Sequence, residues 1–389
     1  MAQKRIIHLK SIDDLRSAAP TWDDLWWRSE VALPTARAEL LAQWLERFAR
    51  RRDFHAFAVE EDGRFVAALP LISRRLAGVL SVGTLPCNPW SPCGELLLDP
   101  AADTDAALDA ILNAAGDTSW QWLWLNDTVI HSPRWRAFVQ ACDRANAARA
   151  THERYHVARI EIASDWDFFQ KNLSRAHRQA TSKAARRLND EGNVRFEMQS
   201  HLDPCDVKSW LEKVFEVEDR SWKGIGGSSV LRTPGMFEFF LAQAEQLAQW
   251  GQLEIATLEL EGHLLATLYG FSAKGVYYAH KIGYDPQFAH FSPGQVMFWN
   301  ILERLHADGN WQAVDCLGPL TEAISRWRPA TYAIGRVVVA PRRLVGRAAM
   351  HAYQNWWPAV RKWRKSLSGK LPEASPVESP LADPLGVPG

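Results

Sequence analysis

Long apolar runs are absent from this sequence. None approaches the roughly 18–20 residues of a spanning helix, and the opening MAQKRIIHLK has no apolar signal region, so neither secretion nor membrane spanning is expected. An excess of charge is also absent: 45 basic residues cancel 45 acidic ones, so no global field recruits nucleic acid. Cysteine is sparse. Cys87, Cys93, Cys142, Cys205 and Cys316 are scattered, odd in number and never spaced as CxxC, which favours reduced cytosolic thiols over a disulfide framework. The twelve histidines are read as lacking metal-ligand spacing, so no metal site is expected.

What is present suffices for about two cores: 389 residues, 47% of them hydrophobic. Strands are predicted at His55–Val59, Phe65–Ile72, Glu95–Leu98, Trp122–Leu125, Val157–Ile162 and Val194–Met198. Between and after them, helices are predicted at Asp23–Ser29, Arg37–Arg51, Ala102–Ala115, Pro133–Ala148, Ser174–Asn189, Cys205–Asp219 and Met236–Trp250. This alternation indicates mixed α/β layers.

The richest stretch is Tyr277–Pro319, YYAHKIGYDPQFAHFSPGQVMFWNILERLHADGNWQAVDCLGP. An aromatic strand, Val276–Tyr284, leads to Ser292-Pro293-Gly294-Gln295, which opens a helix: Ser292 as cap, Pro293 at the first position, Gln295 closing a capping box. The helix runs through Met297, Ile301, Leu302 and Leu305, stops at Gly309 and delivers a strand at Trp311–Leu317. Free N–H groups at Gly294, Gln295 and Val296, with the helix dipole behind them, would make an anion site. An ordinary capped helix fits the same spacing.

The run GYDPQFAHFSPGQVMFWNILE resembles the signature of GNAT-type acyltransferases from bacterial cellulose and capsule gene clusters, which are distant relatives of the Fem-type peptidyl transferases. Glu218-Asp219-Arg220-Ser221-Trp222-Lys223-Gly224 resembles that family's Glu-x-x-x-Trp-Lys-Gly segment. Ser174–Leu188 resembles its Arg-rich helix, and FVAALPLI at Phe65–Ile72 its N-terminal half. The resemblance spans roughly residues 10–340. It implies tandem GNAT-type α/β domains with mixed sheets flanked by helices, acyl-CoA as co-substrate, an amine acceptor and no permanently bound cofactor. One departure stands out: relatives often carry a Tyr-Lys pair ahead of a tryptophan, whereas Ala323 and Ile324 precede Trp327 here. The resemblance therefore points to a CoA thioester rather than aminoacyl-tRNA as donor.

An internal repeat supports duplication. Val59–Leu69 (VEEDGRFVAAL) aligns with Leu258–Leu268 (LELEGHLLATL) at an offset of 199, each copy a hairpin around an acidic-Gly turn. The expected domains are residues 5–160, a degenerate N-terminal copy; 161–340, the catalytic copy; 341–371, a basic, Trp-rich segment; and 372–389, a Pro-rich disordered tail.

Amine acylation needs a proton acceptor. Glu218 continues the apolar stripe Val207, Trp210, Leu211, Val214, which suits a base, but pairing with Arg220 or Lys223 at a helix end fits equally. His280 shares a strand face with Tyr278 and Tyr284 by period two, and the GNAT resemblance makes His280 a candidate base and Tyr284 a candidate acid. Asp315 sits near the carboxyl end of the next strand, as a catalytic or a loop-ordering group. Arg178, within the row Lys171, Arg175, Arg178, Ser182, Arg186, would bind a phosphate or face solvent. Trp222 and Lys223, ahead of Ile225-Gly226-Gly227-Ser228, suit a substrate lid.

From Arg342 to Lys370 eight basic residues and no acidic ones interleave with Met350, Tyr353, Trp356, Trp357 and Trp363. That composition suits a segment on an anionic membrane, and equally a helix packed on its own domain. The expected protein is a cytoplasmic N-acyltransferase, peripheral on the inner membrane if the first alternative holds. Its acceptor would be a lipid amine such as a sphingoid base, as in the ceramide synthases of this broad group, or an amino sugar of an envelope polysaccharide. A Fem-like aminoacyl-tRNA-dependent transferase and a non-catalytic scaffold for polysaccharide assembly are the alternatives.

Overall fold

The expected alternation of strands and helices occurs twice, in two compact units of a computed structural model that describes residues 4–50, 53–162, 165–341, 350 and 353. One unit comprises Met1–Val31, Thr35–Arg154 and the chain from Ala333; the other comprises Ala32–Pro34 and Tyr155–Tyr332. The first unit holds β1 (Lys4–Leu9), α1 (Ile12–Ser17), α2 (Ala19–Arg28), α3 (Ala38–Phe48), β2 (Phe54–Glu61), β3 (Arg64–Leu76) and β4 (Leu80–Thr84). Short strands β5 (Cys87–Asn88), β6 (Ser91–Pro92) and β7 (Leu97–Leu98) follow, then α4 (Thr104–Gly116), β8 (Trp122–Val129) and α5 (Pro133–Arg144). The chain leaves this unit within β9 (Ala148–Glu161).

The second unit holds α6 (Trp166–Asn172), α7 (Arg175–Glu191), β10 (Val194–Gln199), α8 (Val207–Arg220), α9 (Trp222–Ile225) and α10 (Met236–Gln249). It continues with β11 (Leu253–Leu260), β12 (His263–Ala273), β13 (Val276–Tyr284), a 3-10 turn at Pro286–Phe291, α11 (Pro293–Asp308), β14 (Ala313–Pro319) and α12 (Glu322–Ser325). The chain returns to the first unit within β15 (Ala330–Ala340).

Strand order within the first unit is β1-β2-β3-β4-β8-β15, and within the second β10-β11-β12-β13-β14-β9. The pairings match step for step. Each sheet is antiparallel except for one parallel pair, β4 with β8 in the first and β13 with β14 in the second. The repeat read from the sequence is physical. Asp62-Gly63 (φ 50° and 78°) and Glu261-Gly262 (φ 49° and 80°) turn their hairpins with two left-handed residues, as a type I′ turn requires. The register shifts between Val59 and Glu60 in one copy and between Leu258 and Glu259 in the other, at the same offset of 199. The next hairpins repeat the device with Ala77-Gly78 and Lys274-Gly275.

Each sheet is covered by helices. In the second unit Leu258, Leu268, Tyr277 and Val314 pack against Met297, Ile301, Leu302 and Leu305 of α11 and Leu188 of α7. Tyr269, the neighbour of Leu268, points to the opposite face and meets Phe215 of α8 and Phe240 of α10. The first unit buries Leu69, Leu123, Trp135, Phe138 and Val337 in the same manner.

Several local expectations change. The strand expected at Val157–Ile162 begins at Ala148, and Glu95 lies outside β7, its carboxylate accepting from Trp135 Nε1 at 2.7 Å and Arg134 at 2.7 Å. Ser292 does not cap α11. It adopts the left-handed conformation (φ 51°, ψ 49°), and its side chain makes no capping bond. Gln295 turns its side chain to accept from Trp327 Nε1 at 3.1 Å, so no capping box forms. In the basic C-terminal segment, residues 341–371, only Pro341, Met350 and Tyr353 are described; the rest of it and the expected tail lie outside the described residues. Met350 is fully buried, and the Tyr353 ring lies tilted against Trp122 and edge-on to Trp124 and His152 of its own unit.

Candidate active site

The parallel pair β13–β14 is short. It joins Val276 with Ala313, Tyr277 with Val314 and Tyr278 with Asp315, after which β13 runs on to Tyr284 and β14 turns to meet Val157 of β9 through Pro319. The two strands splay, leaving a wedge whose edge carbonyls and N–H groups can meet a ligand.

On the α11 face of this wedge lies the glycine-bearing helix start. Ser292 N–H is used by Ala289 O, Pro293 has no N–H, and Gln295 and Val296 both donate to Ser292 O at 2.9 and 3.2 Å. Of the three N–H groups expected to be free, Gln295 and Val296 are therefore occupied, because the first turn tightens around the Ser292 carbonyl. Gly294 is different. A Cβ built on it would approach only Tyr284 Cδ1, at 4.0 Å, so the space above its backbone is open. Gln295 is held by Trp327, whose ring also packs edge-on against His177 of α7 at 4.6 Å. Burial lowers the pKa of His177, which favours its neutral form.

The opposite face gathers titratable groups. Glu218, at 2% exposure, accepts from Lys223 Nζ at 2.9 Å and from Val230 N–H at 3.1 Å. Lys223 Nζ also donates to Ile282 O, on the splayed part of β13, at 3.0 Å. Of the partners foreseen for Glu218, Lys223 is the one realised; Arg220 instead pairs with Asp285 at 3.0 Å. α8 comes this close because Gly283 has no side chain: a Cβ there would sit 2.9 Å from Glu218 Cα. Asp315 accepts from Leu317 N–H and from Tyr332 Oη, both at 2.9 Å. It thereby orders Leu317, which has φ 55°, and burial raises its pKa. Trp222 stands 56% exposed on the short α9.

His280 and Tyr284 do not share a face. The β12–β13 register jumps from Tyr269↔Lys281 to Gly270↔Ala279, so His280 is the extra residue of a bulge. His280 and Lys281 therefore both turn toward Phe240 of α10, at 6.0 Å ring to ring and 5.4 Å from Nζ to the centroid. Tyr284 falls on the α11 side beside Gly294. Period-two counting fails here because a bulge inverts the alternation beyond it. Lys281 was missed for the same reason; the only hint was a lysine within an aromatic strand.

Arg178 donates to Gln170 O at 3.2 Å on α7, which packs with α11, so it lies on the other sheet face from Trp222 and Lys223. One histidine spacing matches a zinc motif, contrary to the sequence expectation: His152-Glu153-Arg154-Tyr155-His156. It lies in β9, where positions i and i+4 are about 13 Å apart rather than one helical turn. Among the described residues no group of three or more His, Cys, Asp or Glu is placed to hold a metal ion.

Residues 175–323 match a family described as an acetyltransferase (GNAT) domain. No curated protein matches the chain. Among solved structures, FemX superimposes with a TM-score of 0.59 at 11% identity, covering 86% of this chain and 96% of that one. The C-terminal domain assigned to a lysylphosphatidylglycerol synthetase of Agrobacterium fabrum gives 0.53 at 13%, covering 88% and 96%. A protein of unknown function from Bacteroides thetaiotaomicron gives 0.50 at 12%, covering 87% and 100%. The chain thus has a mixed α/β fold of tandem GNAT-type units, and the match to the acetyltransferase (GNAT) domain family covers residues 175–323 within it.

Proposed function

We propose that the protein transfers an acyl group from acyl-CoA to a primary amine, with catalysis in the second unit. The observation that carries this reading is the wedge between β13 and β14, flanked on one face by the open Gly294 helix start and on the other by the Glu218, Lys223, His280 and Asp315 group. A pyrophosphate above Gly294 would meet its N–H and the dipole of a 16-residue helix, and the pantetheine arm would follow the edge of β13 beyond its last pair with β14. The thioester would then reach the opposite face through the wedge.

The first unit has the same topology without that equipment. Asp103 caps α4 by accepting from Ala106 N–H and pairs with Lys4 at 3.1 Å, placing negative charge where a phosphate would bind. Its short β4 is blocked as well: a Cβ on Gly83 would lie 2.7 Å from Trp120. We read this unit as a degenerate copy of the second. Exposed Trp222 and Ile225 near Lys223 favour an acceptor with an apolar portion, such as a sphingoid base, over a bare amino sugar.

The test is direct. Purified protein given palmitoyl-CoA or acetyl-CoA with sphinganine or glucosamine should release CoA and form the amide, read by mass spectrometry. Gly294→Val should weaken CoA binding at least tenfold in calorimetry with the fold intact, since the protein itself leaves room for the side chain. Unchanged CoA affinity would remove the proposed donor site.

A further inference from the structure

We infer that the Glu218 carboxylate and the Ile282 carbonyl form the binding subsite for the acceptor's ammonium, and that the chain's own Lys223 Nζ holds it until an acceptor displaces it. The inference deepens the acyl-transfer reading above and rests on it.

The warrant is what Lys223 is and where it ends. Its side chain is a primary amine on an alkyl stem, the chemistry proposed for the acceptor. Its Nζ donates to Glu218 Oε1 at 2.9 Å and to Ile282 O at 3.0 Å. Ile282 lies beyond Tyr278, the last β13 residue paired with β14, so this carbonyl belongs to the part of β13 that has left its neighbour. A carboxylate and a carbonyl both accept, so the group between them must donate at least twice. A primary ammonium does so and a quaternary one cannot.

Glu218 cannot be left without a cation. Its side chain is 3% exposed, and an uncompensated buried charge is strongly unfavourable. Lys223 is the cation paired with it at hydrogen-bond distance, and Lys281 also feels its charge. The carboxylate itself is fixed. Its other oxygen accepts from Val230 N–H at 3.1 Å, and α8 is seated against Gly283. Lys223 is held less firmly, because a flexible four-carbon stem withdraws its ammonium by changing rotamers alone. Exchange therefore swaps one cation for another and leaves no charge buried unpaired. On the same turn of helix Trp222 and Ile225 are 56% and 80% exposed, apolar surface that an acceptor's alkyl portion can cover. The neighbouring carboxylates do not offer this exchange. Asp219 is held by Arg232 and Asp285 by Arg220, planar guanidinium groups whose fork an ammonium does not reproduce.

The probe is n-octylammonium, with n-octanol as the uncharged control of equal chain length. In the full wild-type chain, trace acetylation with acetic anhydride at neutral pH, read by peptide mass spectrometry, reports whether Lys223 is engaged. Octylammonium should raise Lys223 labelling severalfold relative to the chain's other lysines, and octanol should leave it unchanged. No rise with octylammonium, or the same rise with octanol, overturns the inference. Lys223→Met keeps the stem and removes the ammonium, so Glu218 loses its paired cation and the melting temperature should fall. Octylammonium at about ten times its Kd should restore about 2–4 °C to Lys223→Met. It should restore nothing to Lys223→Met combined with Glu218→Gln, which has no charge to pair. Equal restoration in both, or none in either, overturns the inference. If Lys223→Met does not fold, the labelling of the wild type decides alone.

The two readings fail separately, because none of these measurements needs acyl-CoA. Labelling that responds to octylammonium in a protein that never transfers an acyl group keeps the ammonium subsite and overturns the transferase. A protein that acylates an amine while Lys223 labelling stays flat keeps the transferase and overturns the subsite.

Discussion

At the residue scale, the decisive property of this protein is how it uses buried polar groups. Glu218 and Asp315 sit on an inward face as the sequence suggests, yet both are fully engaged in holding neighbouring chain in place. A third carboxylate, Glu254 in β11, behaves differently. It is fully buried and accepts from the hydroxyls of Ser200 and Ser272, each at 2.7 Å, and among the described residues no cation pairs with it. Desolvation raises its pKa from 4.5 to about 7, and the two hydroxyls offset that only in part. The folded chain therefore holds this proton more tightly than the unfolded one. The resulting stabilisation is complete below about pH 4.5 and is lost as pH rises through about 7, amounting to roughly 3 kcal/mol. Glu254→Gln removes the titration. Thermal melts should show the variant gaining on the wild type between pH 5 and pH 8; a constant difference would contradict the assignment.

At the scale of elements, glycines do two separable jobs. Gly262 supplies a left-handed turn residue with open space around it, so Gly262→Ala should cost only about 1 kcal/mol, as backbone strain. Gly283 supplies room for α8, so Gly283→Ala must push the helix away from β13, at about 1–3 kcal/mol. Urea denaturation separates the two. Because Gly283 touches Glu218, its variant should also disturb the Lys223–Ile282 tether, whereas Gly262→Ala should leave ligand affinity unchanged. Equal effects of both on CoA affinity would argue against α8 lining the site.

At the scale of the whole molecule, the basic C-terminal segment packs at two described residues, and a membrane contact is proposed for its charges. Met350 and Tyr353 pack into the first unit beside Trp122 and Trp124, so Met350→Ala should destabilise by about 2–5 kcal/mol, measured by denaturation. The basic residues of the segment's sequence carry the proposed attraction to an anionic membrane, each worth about 1 kcal/mol near the surface and weakened by salt. Replacing Arg361, Lys362, Arg364 and Lys365 by Gln should abolish pelleting with phosphatidylserine vesicles at low salt without lowering Tm. If pelleting persists, the membrane role falls while the packing role stands. No described helix is long and apolar enough to cross a membrane.

Much of the architecture was legible in the chain itself. The acidic-Gly hairpins, the amphipathic helices and the Ser-Pro-Gly-Gln helix start are local patterns, because turn chemistry and 3.6-residue periodicity act between near neighbours. The duplication followed from two such patterns at one offset. Tertiary structure decided what depends on distant partners. It set the bulge at His280, which reverses the faces of Lys281 and Tyr284. It chose Lys223 over Arg220 as the partner of Glu218 and added Val230 N–H, and it turned Gln295 away from Ser292 toward Trp327. A bulge is a mismatch between two strands, and a hydrogen-bond partner 32 residues away, as Trp327 is from Gln295, leaves no period to read; only packing sets them.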